Sequence, residues 1–146
     1  MPPYDTVIAI KWQDDHLKLL DQRLLPHQLV WLDIRNTDET LAAIRDMVVR
    51  GAPAIGITAA YGIVMAARAQ YASSPRDWRS LIRSDLEQLR DARPTAVNLA
   101  WAVDRMKRVF NQVNGEPVTR LLQEARAIHE EDIAANQHMG ELGAEL

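Results

Sequence analysis

Arg50-Gly51-Ala52-Pro53-Ala54-Ile55-Gly56 sets an arginine and a run of small residues between the expected end of one helix and the start of the next. A helix start leaves backbone N–H groups unpaired and carries partial positive charge, so an anion fits there. A guanidinium beside it adds a planar fork that can hold a phosphate by two bonds. Gly51 and Ala52 let the backbone approach a ligand closely. The plainer reading is that Arg50 caps the preceding helix and Gly51 terminates it. Arg93-Pro94-Thr95 repeats the arrangement ahead of a later helix, and two such ends could converge. Taken alone, its plainer reading is an exposed loop arginine.

Other clusters carry weaker chemistry. Arg76, Arg79 and Arg83 share a helix face, but Asp77, Asp85 and Glu87 are interleaved with them, as on a solvated face. His129-Glu130-Glu131-Asp132 collects metal-ligand side chains that point in different directions on a helix, so no metal site is expected. His16 and His27 fall in expected turns and His138 near the last helix end, and none has a serine or cysteine elbow to activate. Asp21 and Asp33 are carboxylates on expected strands, for which ion pairs with Arg23 or Arg35 are the plainer role. Trp12, Trp31, Trp78 and Trp101 are expected in core or interface.

The elements that must position these residues follow from periodicity. Residues 6–12, 17–20 and 29–34 are rich in strand formers, with a polar hairpin turn at 13–16 and a break at Leu25-Pro26-His27. A small three-stranded antiparallel sheet is expected over 1–35. Asn36-Thr37-Asp38-Glu39 then reads as a capped helix start. The first helix should run over 37–50, with Leu41, Ile44 and Val48 on one face and Gly51 as its left-handed terminator. Pro53 suits the first turn of a second helix reaching about 70. Ser74-Pro75 opens a third with Trp78, Leu81, Ile82 and Leu89 inward. A fourth, capped by Thr95, carries Leu99, Val103, Met106 and Phe110. A fifth starts at Pro117 and carries Leu121, Leu122, Ala125 and Ile128. The expected class is therefore α+β: a three-stranded sheet over 1–35 and a bundle of about five helices over 36–146, the two forming one domain.

Composition bounds the function. The chain has 146 residues, 47% of them hydrophobic, enough for one ordinary core. Seventeen Lys and Arg against twenty Asp and Glu give a net charge of −3, which offers no field to hold nucleic acid. With no cysteine there is no thiolate nucleophile or thiolate metal site. Residues 51–67 are uncharged, but Pro53, Gly56, Thr58, Tyr61 and Gly62 interrupt them, and a buried helix is expected rather than a membrane span. The opening Met1-Pro2-Pro3-Tyr4-Asp5 lacks secretory-signal features, so the cytoplasm is the expected compartment. The last residues, 140–146, lack a cap, a terminating proline or a basic last turn, the expectation for a piece of a longer polypeptide.

At Arg50-Gly51-Ala52-Pro53-Ala54-Ile55-Gly56, continued by Ile57-Thr58-Ala59-Ala60-Tyr61-Gly62, the chain resembles the methylthioribose-1-phosphate isomerase family. Asp21-Gln22, Leu25-Pro26, Trp31, Arg93-Pro94-Thr95-Ala96-Val97-Asn98-Leu99 and the spacing of Asp132, Asn136 and Gly140 follow the same pattern in the same order. The resemblance covers essentially the whole chain. It implies the amino-terminal part of a two-domain, cytoplasmic, homodimeric aldose–ketose isomerase of methionine salvage, acting on a sugar phosphate without metal or organic cofactor. The catalytic cysteine and aspartate are then expected in a Rossmann-like domain beyond this chain, which should be inactive alone. Carried over by position, Arg50, Gly51 and Ala52 contact the substrate and Arg93 clamps its phosphate. Ribose-1,5-bisphosphate isomerases and the regulatory alpha, beta and delta subunits of a translation initiation exchange factor belong to the same superfamily and remain open as alternatives. So does a plain helical interaction domain.

Overall fold

The computed structural model describes residues 9–93 and 96–144. Strands β1 (Ile10–Gln13), β2 (His16–Leu20) and β3 (Trp31–Ile34) form an antiparallel sheet in the order β1-β2-β3. Pairing sets Ile10 opposite Leu19 and Leu17 opposite Ile34, and all four are buried. The other face aligns Lys11, Lys18 and Asp33, with Lys18 Nζ 3.7 Å from Asp33. That is the alternation expected when one face of a sheet meets a core and the other water. The turn between β1 and β2 is tighter than expected: Asp14 adopts a left-handed φ of 58°, and His16 already belongs to β2. Asp21 likewise lies on no strand; its side chain caps a single 3-10 turn at Gln22–Leu24.

Helix α1 (Thr37–Arg45) starts as its sequence requires. Asn36 Oδ1 accepts from Glu39 N at 2.8 Å, and Glu39 Oε1 accepts from Arg35 N at 2.7 Å. Its end does not follow expectation. Met47, not Gly51, takes the left-handed position, with φ 61°. Met47 N donates to Ile44 O at 3.4 Å and Val48 N to Ala43 O at 3.0 Å, the paired bonds that close a helix through a left-handed residue. The chain then continues outside α1 with Val48 and Val49 buried, and Val48 O accepts from Gln22 N at 3.0 Å. Gly51 instead opens the next helix.

Helix α2 (Ala52–Ser73) has every residue from Ala54 to Ala67 buried. Its length and apolarity would suit a membrane crossing, but 78% of its most apolar window lies inside the fold. It packs on α1, on α3 (Trp78–Asp91), on α4 (Val97–Phe110), on α5 (Val118–Ala144) and on β1 and β2. Sheet and helices share one hydrophobic core. Trp12 of β1 stacks on Tyr61 of α2 at 5.3 Å, and Tyr61 donates or accepts a 2.9 Å hydrogen bond with His129 Nδ1 of α5. Burial pushes the Tyr61 hydroxyl up to about 12, so it stays protonated at neutral pH. Trp78 meets Phe110 edge to face at 5.8 Å. Leu81, expected inward, turns outward at 43% exposed, and Trp101, expected in core or interface, is 48% exposed. Helix α3 begins only at Trp78, after a turn at Ser74, and that phase leaves Leu81 on the solvent side of Ile82.

Two glycines of α2 set how closely its neighbours approach. A Cβ on Gly56 would lie 2.9 Å from the Asn98 carbonyl oxygen in the first turn of α4. A Cβ on Gly62 would lie 2.6 Å from Thr40 Cγ2 of α1, whose hydroxyl is tied to Asn36 O at 2.8 Å. Alanine is worth about 1 kcal/mol over glycine inside a helix, but a backbone oxygen cannot rotate away from an added methyl. Gly56→Ala is therefore expected to destabilise the chain by about 1 to 3 kcal/mol in urea unfolding; a more stable variant would show that α4 yields freely.

Candidate functional site

Two helix starts, those of α1 and α5, are closed by side chains and three are not, that of α3 at Asp77 among the open ones. Asn36 caps α1 with Asp38 and Glu39 in its first turn, while Glu116 accepts from Val118 N, from Thr119 N at 3.3 Å and from Thr119 Oγ1 at 2.9 Å. The starts of α2 and α4 carry no side-chain cap and no acid in the first turn. Their cap positions are held by Gly51, at φ 88° and ψ 138°, and by Ala96. A backbone of this φ suits glycine and disfavours other residues. The first N–H groups at both ends remain available to an anion, while Leu99 N in α4 donates to Ala96 O at 3.1 Å. Thr95, the expected cap of α4, and Pro94 lie outside the described residues.

These two open ends adjoin. Gly56, one turn into α2, faces the Asn98 carbonyl in the first turn of α4 so closely that no Cβ fits between them. Arg50 immediately precedes Gly51, the cap of α2, and Arg93 lies three residues before Ala96, the cap of α4. Arg50 is exposed, Arg93 half-buried, and neither guanidinium is paired with a carboxylate among the described residues. Arg50 does not cap α1, which ends five residues earlier at Arg45. Several other arginines in the fold are committed. Arg23 forks onto Asp21 at 2.9 and 2.8 Å, and its hydrogen bonds hold that buried carboxyl below its ordinary range. Arg90 pairs with Asp104 at 3.3 Å, and Arg79 Nε reaches Phe110 O at 3.2 Å.

The remaining candidates have structural partners. His16 sits buried between Asp15 and Asp33, each carboxylate oxygen 3.0 Å from one ring nitrogen. Those hydrogen bonds, with smaller help from nearby cations, lower both aspartates. Asp33 thus partners His16 and Lys18 rather than Arg35. His27 is exposed. Along His129 to Asp132 the side chains diverge, His129 toward Tyr61 and Glu131 toward Arg105. Among the described residues no group of three His, Cys, Asp or Glu could hold a metal ion.

Arg105 of α4 is a feature the sequence reading missed. Its Nε donates to Glu124 at 2.8 Å and its two terminal nitrogens to Glu131 at 2.9 and 2.6 Å, joining α4 to α5. Its guanidinium also lies 5.4 Å over the Trp101 ring. Arg105 and Glu124 are largely shielded, at 18% and 15% side-chain exposure. Arg105 is consequently held far above its ordinary range, chiefly by its bonds to Glu131. Burial raises the Glu124 carboxyl, but the bonds from Arg105 and Arg120 outweigh it and leave a net lowering. Glu131 is lowered mainly by its Arg105 hydrogen bonds. Beside this network a cavity of about 210 Å³ opens next to the α2 start, walled by Pro53, Ile57, Trp101 and Ile128. The one sequence signal for the network is the spacing of Glu124 and Glu131, two turns apart on one face of α5.

Comparison with known proteins decides the family. The model of the initiation factor 2 subunit family matches residues 48–146, more than half of the chain. The chain belongs to the initiation factor 2 subunit family. Among this family's relatives, a methylthioribose-1-phosphate isomerase of Alkalilimnicola ehrlichii is 60% identical over 146 residues, 100% of this chain and 42% of the relative. Another, of Thioalkalivibrio sulfidiphilus, is 57% identical over 143 residues, 98% and 41% of the two chains. The crystal structure of 5-methylthioribose 1-phosphate isomerase from Pyrococcus horikoshii matches with a TM-score of 0.87 and 34% identity, covering 94% of this chain and 40% of that one. The translation initiation factor eIF-2B subunit delta from A. fulgidus matches at 0.86 and 38%, covering 94% and 41%. The chain thus spans about two fifths of the length of the relatives it matches, and its α+β architecture is the one found in these solved family structures.

In this family member the Arg105 network makes a stability prediction with a defined sign. Both glutamates titrate below the free value of 4.5 when folded, so their contribution is present above that pH and is lost as pH falls through the lowered value. Arg105→Met is expected to cost about 2 kcal/mol at pH 7 by chemical denaturation, because it strands a shielded carboxylate. The difference from the parent should shrink from pH 5 to pH 3, where both glutamates protonate. A pH-independent difference would assign the loss to packing on Trp101 alone.

Proposed function

We propose that this chain is the substrate-phosphate-binding, amino-terminal part of an isomerase that converts 5-methylthioribose 1-phosphate to 5-methylthioribulose 1-phosphate in methionine salvage. The observation that carries the reading is the pair of adjoining, uncapped helix starts, each preceded by an arginine that pairs with no carboxylate among the described residues. Arg50, Gly51 and Ala52 bind substrate at the first start, and Arg93 clamps the phosphate from the second. The 60% identity to an isomerase across the whole chain supports the same substrate class.

The chemistry gives the grip a purpose. The phosphate sits on the anomeric oxygen, so the ring does not open as freely as an ordinary hemiacetal. Fixed phosphate contacts let binding energy remote from the reacting carbons hold the sugar while an acid and a base open the ring and move hydrogen between neighbouring carbons. This chain has no cysteine and, in this reading, supplies binding only; the acid and base come from the part of the enzyme outside it. The working enzyme is a cytoplasmic homodimer that needs no metal or organic cofactor, and neither nucleic acid nor membrane is a partner.

One observation favours a second reading. The match to the delta subunit of a translation initiation factor is as close in shape as the match to the isomerase. In that case the chain would belong to a non-catalytic assembly module. A ribose-1,5-bisphosphate isomerase is the catalytic alternative.

The test is the activity of the full-length enzyme on methylthioribose-1-phosphate, beside ribose-1,5-bisphosphate, with this chain alone as control. Turnover of the first substrate by the full-length enzyme only is the expected result. Preference for the bisphosphate would select the sibling enzyme, and inactivity on both the assembly module. Arg50→Ala and Arg93→Ala should each weaken substrate binding by about 1.5 to 3 kcal/mol, the range for hydrogen bonds to charged groups. Unchanged kinetics in both variants would sink the two-helix phosphate site.

A further inference from the structure

The cavity beside the α2 start differs in chemistry from the open helix ends it adjoins. Pro53, Ile57, Trp101 and Ile128 form an apolar wall, and Gly56 and Asn98 lie where α2 meets α4. Its remaining lining residues are Glu131 and Asp132, so the lining includes two carboxylates and no cation. Trp101 is 48% exposed yet fixed from behind, because Arg105 stacks on its ring and is itself forked onto Glu131. An exposed tryptophan braced by a shielded ion network is an odd surface feature and a serviceable wall for a ligand.

Resting on the isomerase reading, we propose that this cavity is the subsite for the 5-methylthio arm of the substrate and that Trp101 is a specificity-determining residue. Phosphate at the adjoining α2 and α4 starts leaves the uncharged end of the sugar to enter the cavity. A methylthio group is apolar and polarisable. It gains from removal from water and from sulfur–aromatic contact with the Trp101 ring. A 5-phosphate in the same place would leave water for an apolar wall, and Arg105 behind Trp101 is already committed to Glu124 and Glu131. The same residues thus admit one sibling substrate and reject the other. A volume of about 210 Å³ holds such an arm with room for part of the ribose.

The experiment compares kcat/KM of the full-length enzyme for methylthioribose-1-phosphate, its 5-deoxy analogue and ribose-1,5-bisphosphate, in the parent, Trp101→Phe and Trp101→Lys. The parent should prefer the methylthio substrate to the 5-deoxy analogue by about tenfold. Trp101→Phe should keep most of this preference. Trp101→Lys, which removes the wall and adds a cation, should lower the methylthio-to-bisphosphate ratio about tenfold or more. An unchanged ratio in Trp101→Lys, with turnover of methylthioribose-1-phosphate retained, overturns the subsite while leaving the isomerase reading intact. If Trp101→Lys does not fold, the parent's preference between the methylthio and 5-deoxy substrates decides alone, and its absence overturns the proposal. Should the parent turn over none of the three, the isomerase reading fails and the subsite with it. A change confined to oligomeric state or stability would mark the cavity as a protein contact and also overturn the proposal.

Discussion

A helix surrounded on nearly every side must let its neighbours come close, and α2 meets that demand with the smallest side chains. The approach of α4 is fixed where Gly56 leaves room for the Asn98 carbonyl, and that of α1 where Gly62 leaves room for Thr40. Interiors pack at crystal-like density, so neither contact can drift without opening a void or a clash elsewhere. The same constraint has a functional side. The Gly56 contact lies within a turn of both uncapped helix ends, so the packing that makes α2 central also brings those ends side by side.

The difference between closed and open helix starts is a difference in where four unpaired N–H groups find partners. At α1 Asn36 accepts from Glu39 N, and at α5 Glu116 accepts from Val118 N and Thr119 N. At α2 a proline in the first turn removes one donor, and the glycine before it offers no side chain. Relative to a capping side chain, Ala96 at the start of α4 gives up about 1 kcal/mol and Gly51 at the start of α2 roughly a few tenths. Two such starts side by side, each following an arginine that pairs with no carboxylate among the described residues, have the chemistry that suits an anion.

Much of this was legible in the sequence where the signal was local. The capping pair at Asn36 and Glu39, the proline at the start of α2 and the α4 stripe of Leu99, Val103, Met106 and Phe110 all depend on neighbours within a turn or two. The end of α1 was misread because glycine is the strongest cue for a left-handed residue, and Met47 took that conformation four residues earlier. What made the earlier stop favourable is long-range: Val48 and Val49 bury against the core once the chain leaves the helix, and Val48 O receives Gln22 N. The half-exposed place of Trp101 was not legible for a related reason. Its position follows from Arg105, and the partners of Arg105 sit on another helix, at a register that hydrophobic periodicity does not report. The shared face of Glu124 and Glu131 was visible, but nothing local says which cation they meet. The two arginines of the candidate site were legible as residues before helix starts. Their adjacency was not, because it rests on a glycine-to-carbonyl contact across 42 positions.

The ion network and the open ends belong to one mechanical unit. Arg105 ties α4 to α5 through Glu124 and Glu131, and α4 carries at its start the end that follows Arg93. Surface ion pairs contribute little, but a fork with two carboxylates at 15 to 18% exposure for its inner pair holds a geometry as well as an energy. Remote contacts can serve catalysis only when the frame between them and the reacting carbons is stiff, since a phosphate grip that yields passes no orientation to the sugar. Here α2 is immobilised by burial and α4 by the Gly56 contact and the Arg105 fork. The frame that would carry binding energy from the phosphate to the sugar is thus built from two helices whose uncapped starts adjoin.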